Sequence, residues 1–167
     1  IGALITKNRA LHDTVMKFCQ ARLSPPLIGQ IAANASLEEN TAYMQHNFDE
    51  YKSRRDFIIE RLNRIPGVYS PMPQGAFYTL ARLPVEDADA FCAWCLSDFR
   101  YEGQTLFMAP ASGFYVTPGL VKNEVRLAYV LNQDDLNNAL IVLEKALEAY
   151  PHTIKHESGA IHSKTHL

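Results

Sequence analysis

Apolar and polar positions along this chain recur at two different spacings. Leu11, Val15, Phe18 and Cys19 fall one helical turn apart and predict a helix over about 9–22. Ser24-Pro25-Pro26 breaks it, because proline lacks an amide proton and restricts the residue before it. Leu27, Ile28, Ile31, Ala32 and Ala35 predict a second helix. A long third one carries Met44, Phe48, Tyr51, Ile58, Leu62 and Ile65 inward, with Glu50, Lys52, Arg54, Arg55, Glu60 and Arg61 on a solvated outer face. Pro66-Gly67 ends it. Val68 to Leu83 reads as two short strands around a bend, punctuated by Pro71, Pro73 and Gly75. Ala88, Phe91, Cys92, Cys95, Leu96 and Phe99 trace another amphipathic helix. Leu106 to Met108 reads as a short strand, residues 109–120 as a loop, and residues 123–130 as a further strand. Asn132, with Asp135 three positions on, predicts a capped start to a last helix whose inward positions are Leu136, Ala139, Leu140, Leu143, Leu147 and Tyr150.

Helices come first, then strands alternate with helices, which predicts an α/β chain with an α+β unit over 41–151. Ile1 to Ile5 reads as a buried strand deprived of its upstream context, so the chain reads as the middle of a larger protein, with residues 1–40 needing a missing partner. Apolar faces left without that partner predict self-association, as a homodimer or higher oligomer. Residues 152–167 are polar and aperiodic and predict a flexible tail. His152, His156, His162 and His166 lie there, with nothing to fix them as metal ligands, so no metal site is expected.

Composition narrows the function classes. The 167 residues are 47% apolar and 20% charged, with a net charge of -2 and a pI near 6.3, so no nucleic-acid surface is expected. No apolar run reaches membrane-spanning length. Three cysteines, Cys19, Cys92 and Cys95, suit a reducing, cytoplasmic setting. Cys92 and Cys95 form a C-x-x-C, but both fall within a helical stripe, and a structural core role is expected rather than redox chemistry.

The most informative single residue is Arg126, in the strand Asn123-Glu124-Val125-Arg126-Leu127-Ala128-Tyr129-Val130. An arginine among apolar neighbours is costly to desolvate unless an anion meets it, and its planar fork suits a carboxylate held by two parallel hydrogen bonds. That anion is either a structural carboxylate such as Glu124 or Asp134, or one from outside the chain.

Four phrases in register resemble the C-terminal half of a class I/II aminotransferase, a pyridoxal-phosphate enzyme of fold type I, and most closely its aspartate-aminotransferase-like members. They are Ile1-Gly2-Ala3-Leu4-Ile5, Pro73-Gln74-Gly75-Ala76-Phe77-Tyr78, Ala109-Pro110-Ala111-Ser112-Gly113-Phe114-Tyr115 and Val125-Arg126-Leu127-Ala128. The resemblance covers about residues 1–151. It implies a small C-terminal domain of helices on a small mixed sheet, preceded by a remnant of the large cofactor-binding domain. It also implies that Arg126 grips the α-carboxylate of an amino acid, with a 2-oxo acid as the second substrate. Phe77 matches an aromatic at the mouth of the substrate pocket, or else a core aromatic of a half-buried strand. Arg22-Leu23-Ser24-Pro25-Pro26 resembles the segment that approaches the neighbouring subunit's site. Arg22 and Ser24 are thus candidates for the interface or cofactor side, although Arg22 also suits a helix C-terminus. The Schiff-base lysine and phosphate-binding arginine of the family match no position here, so covalent cofactor binding and transamination by this chain alone are not expected. On the same fold, a pyridoxal-phosphate lyase or decarboxylase is the alternative reaction. A non-catalytic interaction module with an internally paired Arg126 is the alternative class.

Overall fold

The structure, a computed structural model, describes residues 1–39, 41–117 and 119–154. The tail expected to be flexible, with His156, His162 and His166, falls almost wholly outside the described residues. The chain divides into two compact units, Ile1–Asn47 and Phe48–Leu167.

The first unit is helical. Helix α1 (Arg9–Arg22) starts where the Asn8 side chain accepts from the Leu11 amide at 3.1 Å, satisfying one otherwise orphaned N–H. It stops at Leu23, which has φ +67°, and Pro25-Pro26 then leads into α2 (Leu27–Leu37). Neither helix buries a residue; Ile28 is 82% and Leu37 86% exposed. Ile1 to Ile5, expected as a buried strand, has no regular secondary structure and is exposed, with no ladder to any described residue. Strand conformation is held by a neighbouring strand, and none is recorded beside this segment.

Helix α3 (Thr41–Leu62) buries only its last turns, through Ile58, Ile59 and Leu62. Met44, Phe48 and Tyr51, expected inward, are exposed. The helix ends at Leu62, Pro66 bars any continuation beyond Ile65, and Gly67 turns the chain at φ +78°. The two strands expected over 68–83 resolve into one, β1 (Tyr78–Arg82), and a single bridge between Tyr69 and Arg82. The short strand expected at 106–108 lies slightly later, as β2 (Ala109–Pro110), and β3 (Glu124–Ala128) completes the sheet. The order is β1-β3-β2. Both pairings are antiparallel among the described residues, where a mixed sheet was expected.

Period-two alternation gives this sheet two unlike faces. Thr79, Ala81 and Val125 turn inward and are buried. Tyr78, Arg82, Arg126 and Ala128, on the opposite parity, are exposed. The inner face meets α4 (Ala88–Ser97) and α5 (Gln133–Ala149) in one core that includes Phe91, Cys95, Tyr129, Leu140 and Leu143. Both helices are capped, α5 at the Asn132 that its sequence indicates and α4 at Asp87. Asp87 accepts from the Ala90 amide at 3.0 Å and Asn132 from the Asp135 amide at 2.9 Å, while the Asn132 amide group donates to the Asp135 carboxylate at 2.8 Å. Aspartate thus replaces the longer acid of a capping box. The buried hydroxyls of Ser70 and Thr79 bond to each other at 2.9 Å, which removes the cost of leaving either unpaired. No helix among the described residues is long and apolar enough to cross a membrane.

Leu143 is 1% exposed at the centre of the α5 face. Leu143→Ala is expected to lower the unfolding free energy by about 2–5 kcal/mol, through lost transfer energy and a residual cavity. Urea denaturation followed by circular dichroism measures it; a loss below about 1 kcal/mol would show that α5 does not anchor the core.

Candidate active site

Arg126 lies at the middle of β3, paired with Leu80 of β1 on one side and Ala109 of β2 on the other. Strand parity turns its side chain to the open face, and the residue is exposed rather than buried among the apolar neighbours of its strand. Its cost of placement is correspondingly small. Two aromatic rings flank it: the guanidinium carbon stands 5.3 Å from the Tyr78 ring centroid and 4.9 Å from that of Phe114. Such contacts contribute about 0.5–1 kcal/mol each at exposed sites and restrict where a flexible cation can point.

The other ion pairs of the second unit join different partners: Arg54 with Glu50, Arg55 with Asp56, Arg64 with Glu60 and Lys145 with Glu148. None of the ion pairs among the described residues includes Arg126. Neither Glu124 nor Asp134 is its partner. Glu124 instead accepts a 2.7 Å hydrogen bond from the Tyr115 hydroxyl. That bond, with some burial and the carboxylate's charge, holds the Tyr115 phenol above its ordinary pKa.

Phe77 is 52% exposed and packs edge-on against Tyr78, ring centroids 5.7 Å apart. Phe77 and Arg126 are therefore neighbours of the same tyrosine. The Phe77 backbone is fixed from β3's end: its carbonyl accepts from the Tyr129 amide at 2.9 Å, and the Tyr129 hydroxyl donates to the Ala76 carbonyl at 3.0 Å. Ala76 has φ +63°, a left-handed conformation uncommon for a residue with a Cβ, and the tyrosine's bonds hold that turn. Sequence reasoning assigned no role to Tyr78, Phe114 or Tyr115. All three stand inside the quoted phrases, and the alternation of β1 was the available signal for Tyr78.

Arg22 and Ser24 belong to the first unit. They line a cleft of about 860 Å³ with Met16, Cys19, Gln20 and Pro25. Leu23 between them carries the positive φ, an unfavourable state for a branched side chain. Arg22 is exposed and ends α1, where a cation is favoured by the helix dipole.

The Arg126 face suits a carboxylate. It does not suit pyridoxal phosphate as a resident group, since among the described residues Arg126 is flanked by the Tyr78 and Phe114 rings and Arg82 by the Tyr69 ring, with neither a lysine nor a phosphate cradle beside them.

The class of protein comes from the comparisons with known proteins. The sequence model of aminotransferase class I and II matches residues 1–143, and the chain belongs to that family, whose enzymes use pyridoxal phosphate. It is similar to an aspartate aminotransferase of Rhizobium meliloti, 26% identical over 133 residues, covering 72% of this chain and 30% of that protein. Solved structures resemble it as well. An alanine aminotransferase from Pyrococcus furiosus has a TM-score of 0.65 at 27% identity, covering 83% of this chain and 35% of the other. An aspartate aminotransferase from Thermotoga maritima has a TM-score of 0.66 at 26% identity, covering 87% and 35%. The chain thus spans about 30% of the length of the curated relatives it matches.

The C-x-x-C pair is core, as its spacing implied. Cys92 and Cys95 are buried in α4, and burial, first among the causes, pushes their thiols up to about 11 and about 12; Asp89 adds to the first effect and Cys92 to the second. Below those values the thiols stay protonated and unreactive. Among the described residues no group of three metal-ligating side chains occurs. Alkylation by iodoacetamide at pH 8, read by peptide mass spectrometry, is expected to modify exposed Cys19 in the native protein, and Cys92 and Cys95 only after denaturation. Native labelling of Cys95 at the Cys19 rate would contradict the placement of α4.

Proposed function

We propose that this chain is the C-terminal part of an amino-acid aminotransferase in which Arg126 grips the α-carboxylate of the substrate. The observation that carries the reading is the exposed guanidinium, steadied by Tyr78 and Phe114 and in no ion pair with a described residue. A carboxylate arriving from outside can accept two parallel hydrogen bonds from such a fork. The two-point hold fixes the Cα–H bond in one direction and removes rotational freedom before any bond breaks. Pyridoxal phosphate supplies, when bound, the electron sink that makes the Cα proton removable. Phe77, beside Tyr78, forms an apolar wall at the mouth of the pocket.

The names of the similar proteins support aspartate, or an amino acid like it, as the donor and a 2-oxo acid as the acceptor. The curated relatives are named aminotransferases, which favours transamination over a lyase or decarboxylase reaction. In this reading residues 1–40 belong to the larger cofactor-binding domain and 41–151 to the small domain. Arg22 and Ser24 then face the cofactor side of a subunit interface. The exposed apolar residues of α1 and α2 support a homodimer, and the composition a cytoplasmic enzyme.

Arg126→Gln in the full-length enzyme tests the anchor. Hydrogen bonds to charged groups contribute about 1.5–3 kcal/mol. The KM for aspartate is therefore expected to rise about tenfold to a hundredfold. An unchanged KM would reject the assignment.

A further inference from the structure

The open sheet face poses a problem for a free arginine. Glu124 and Arg126 are two residues apart on β3, so their side chains leave the same face about 7 Å apart along the strand. Both are long enough to meet. An internal pair would occupy the fork that an external carboxylate needs. Arg82 lies directly across from Glu124 on β1, and Lys122 precedes it by two residues, so Glu124 has other cations nearby. Arg82's guanidinium stands over the Tyr69 ring at 5.6 Å. Glu124 pairs with neither arginine. Its side-chain partner is the Tyr115 hydroxyl at 2.7 Å.

Tyr115 follows the 3₁₀ turn Ser112–Phe114 directly. That turn is tied to β3 by its backbone: the Ala111 amide donates to the Glu124 carbonyl at 2.8 Å, and the Phe114 amide to the Ala111 carbonyl at 3.0 Å. Two consecutive side chains from it thus reach opposite charges. Phe114 covers the guanidinium of Arg126, and Tyr115 holds the carboxylate of Glu124. From this we infer that Tyr115 is a positioning residue, which keeps Arg126 open to the carboxylate of an amino-acid substrate by engaging the strand's own competing carboxylate. The inference rests on the reading of Arg126 as the substrate anchor.

Removing the hydroxyl frees Glu124 to compete. An exposed ion pair contributes about 0.2–1 kcal/mol, which corresponds to a weakening of about 1.5- to fivefold. In the full-length enzyme, Tyr115→Phe is expected to raise the KM for the amino acid and the inhibition constant of propionate, an unreactive monocarboxylate, by that factor, with kcat close to unchanged. Adding Glu124→Gln is expected to restore both constants, since the amide carries no charge to offer Arg126. A simple packing defect would not be repaired by that second change. Propionate binding unaffected by Tyr115→Phe, or a loss that Glu124→Gln leaves in place, overturns the role of Tyr115. Arg126→Gln is measured alongside. If that variant binds propionate as well as the unaltered enzyme, the anchor reading itself fails; if it weakens binding while the Tyr115 series shows no rescue, only the present inference fails.

Discussion

The parity of strand β3 is the constraint on which the rest of the second unit depends. Val125 and Tyr129 must be inside, because each is essentially fully buried against α4 and α5. With a repeat of two, that choice sends Arg126 outward with no further instruction. A slip of one residue would bury the guanidinium and expose Val125, reversing both the core and the site. The apolar pattern that folds the domain is therefore the same pattern that presents the cation. The inner face adds a second control, since Tyr129 both fills the core and fixes the backbone of the Gly75–Phe77 turn.

Much of this was legible in the residues. α1 falls where its spacing places it, and α5 where its spacing and its Asn132 cap place it, because short-range periodicity and a local hydrogen bond define them. Gly67 marks the turn after α3 for a comparable local reason. The strand that carries Arg126 was also readable, from its apolar neighbours and its place in a familiar phrase. The exposure of Arg126 was not. The segment reads as wholly buried if Leu127, Ala128 and Tyr129 are counted as a run. Only the pairing with Leu80 and Ala109 shows which residues share the guanidinium's face.

Other features depend on contacts distant in sequence. Tyr78 and Phe114 are 36 positions apart, and no local pattern joins them around one arginine. The first half of α3 has the helical stripe of a buried element, yet Met44, Phe48 and Tyr51 are exposed. Periodicity states which side of a helix is apolar; it does not supply the surface to cover it. The same holds for Ile1 to Ile5, whose composition suits a strand but whose ladder requires a neighbour.

The smallest strand has a consequence of its own. β2 is only two residues long, and its second residue, Pro110, has no amide proton to offer. It forms the outer edge of the sheet beyond β3. An unprotected margin of this kind would invite strands of other molecules to add on and grow into aggregates. Brevity and proline together blunt it, so an open, solvent-facing sheet can carry a receptive charge without becoming a template for polymerisation.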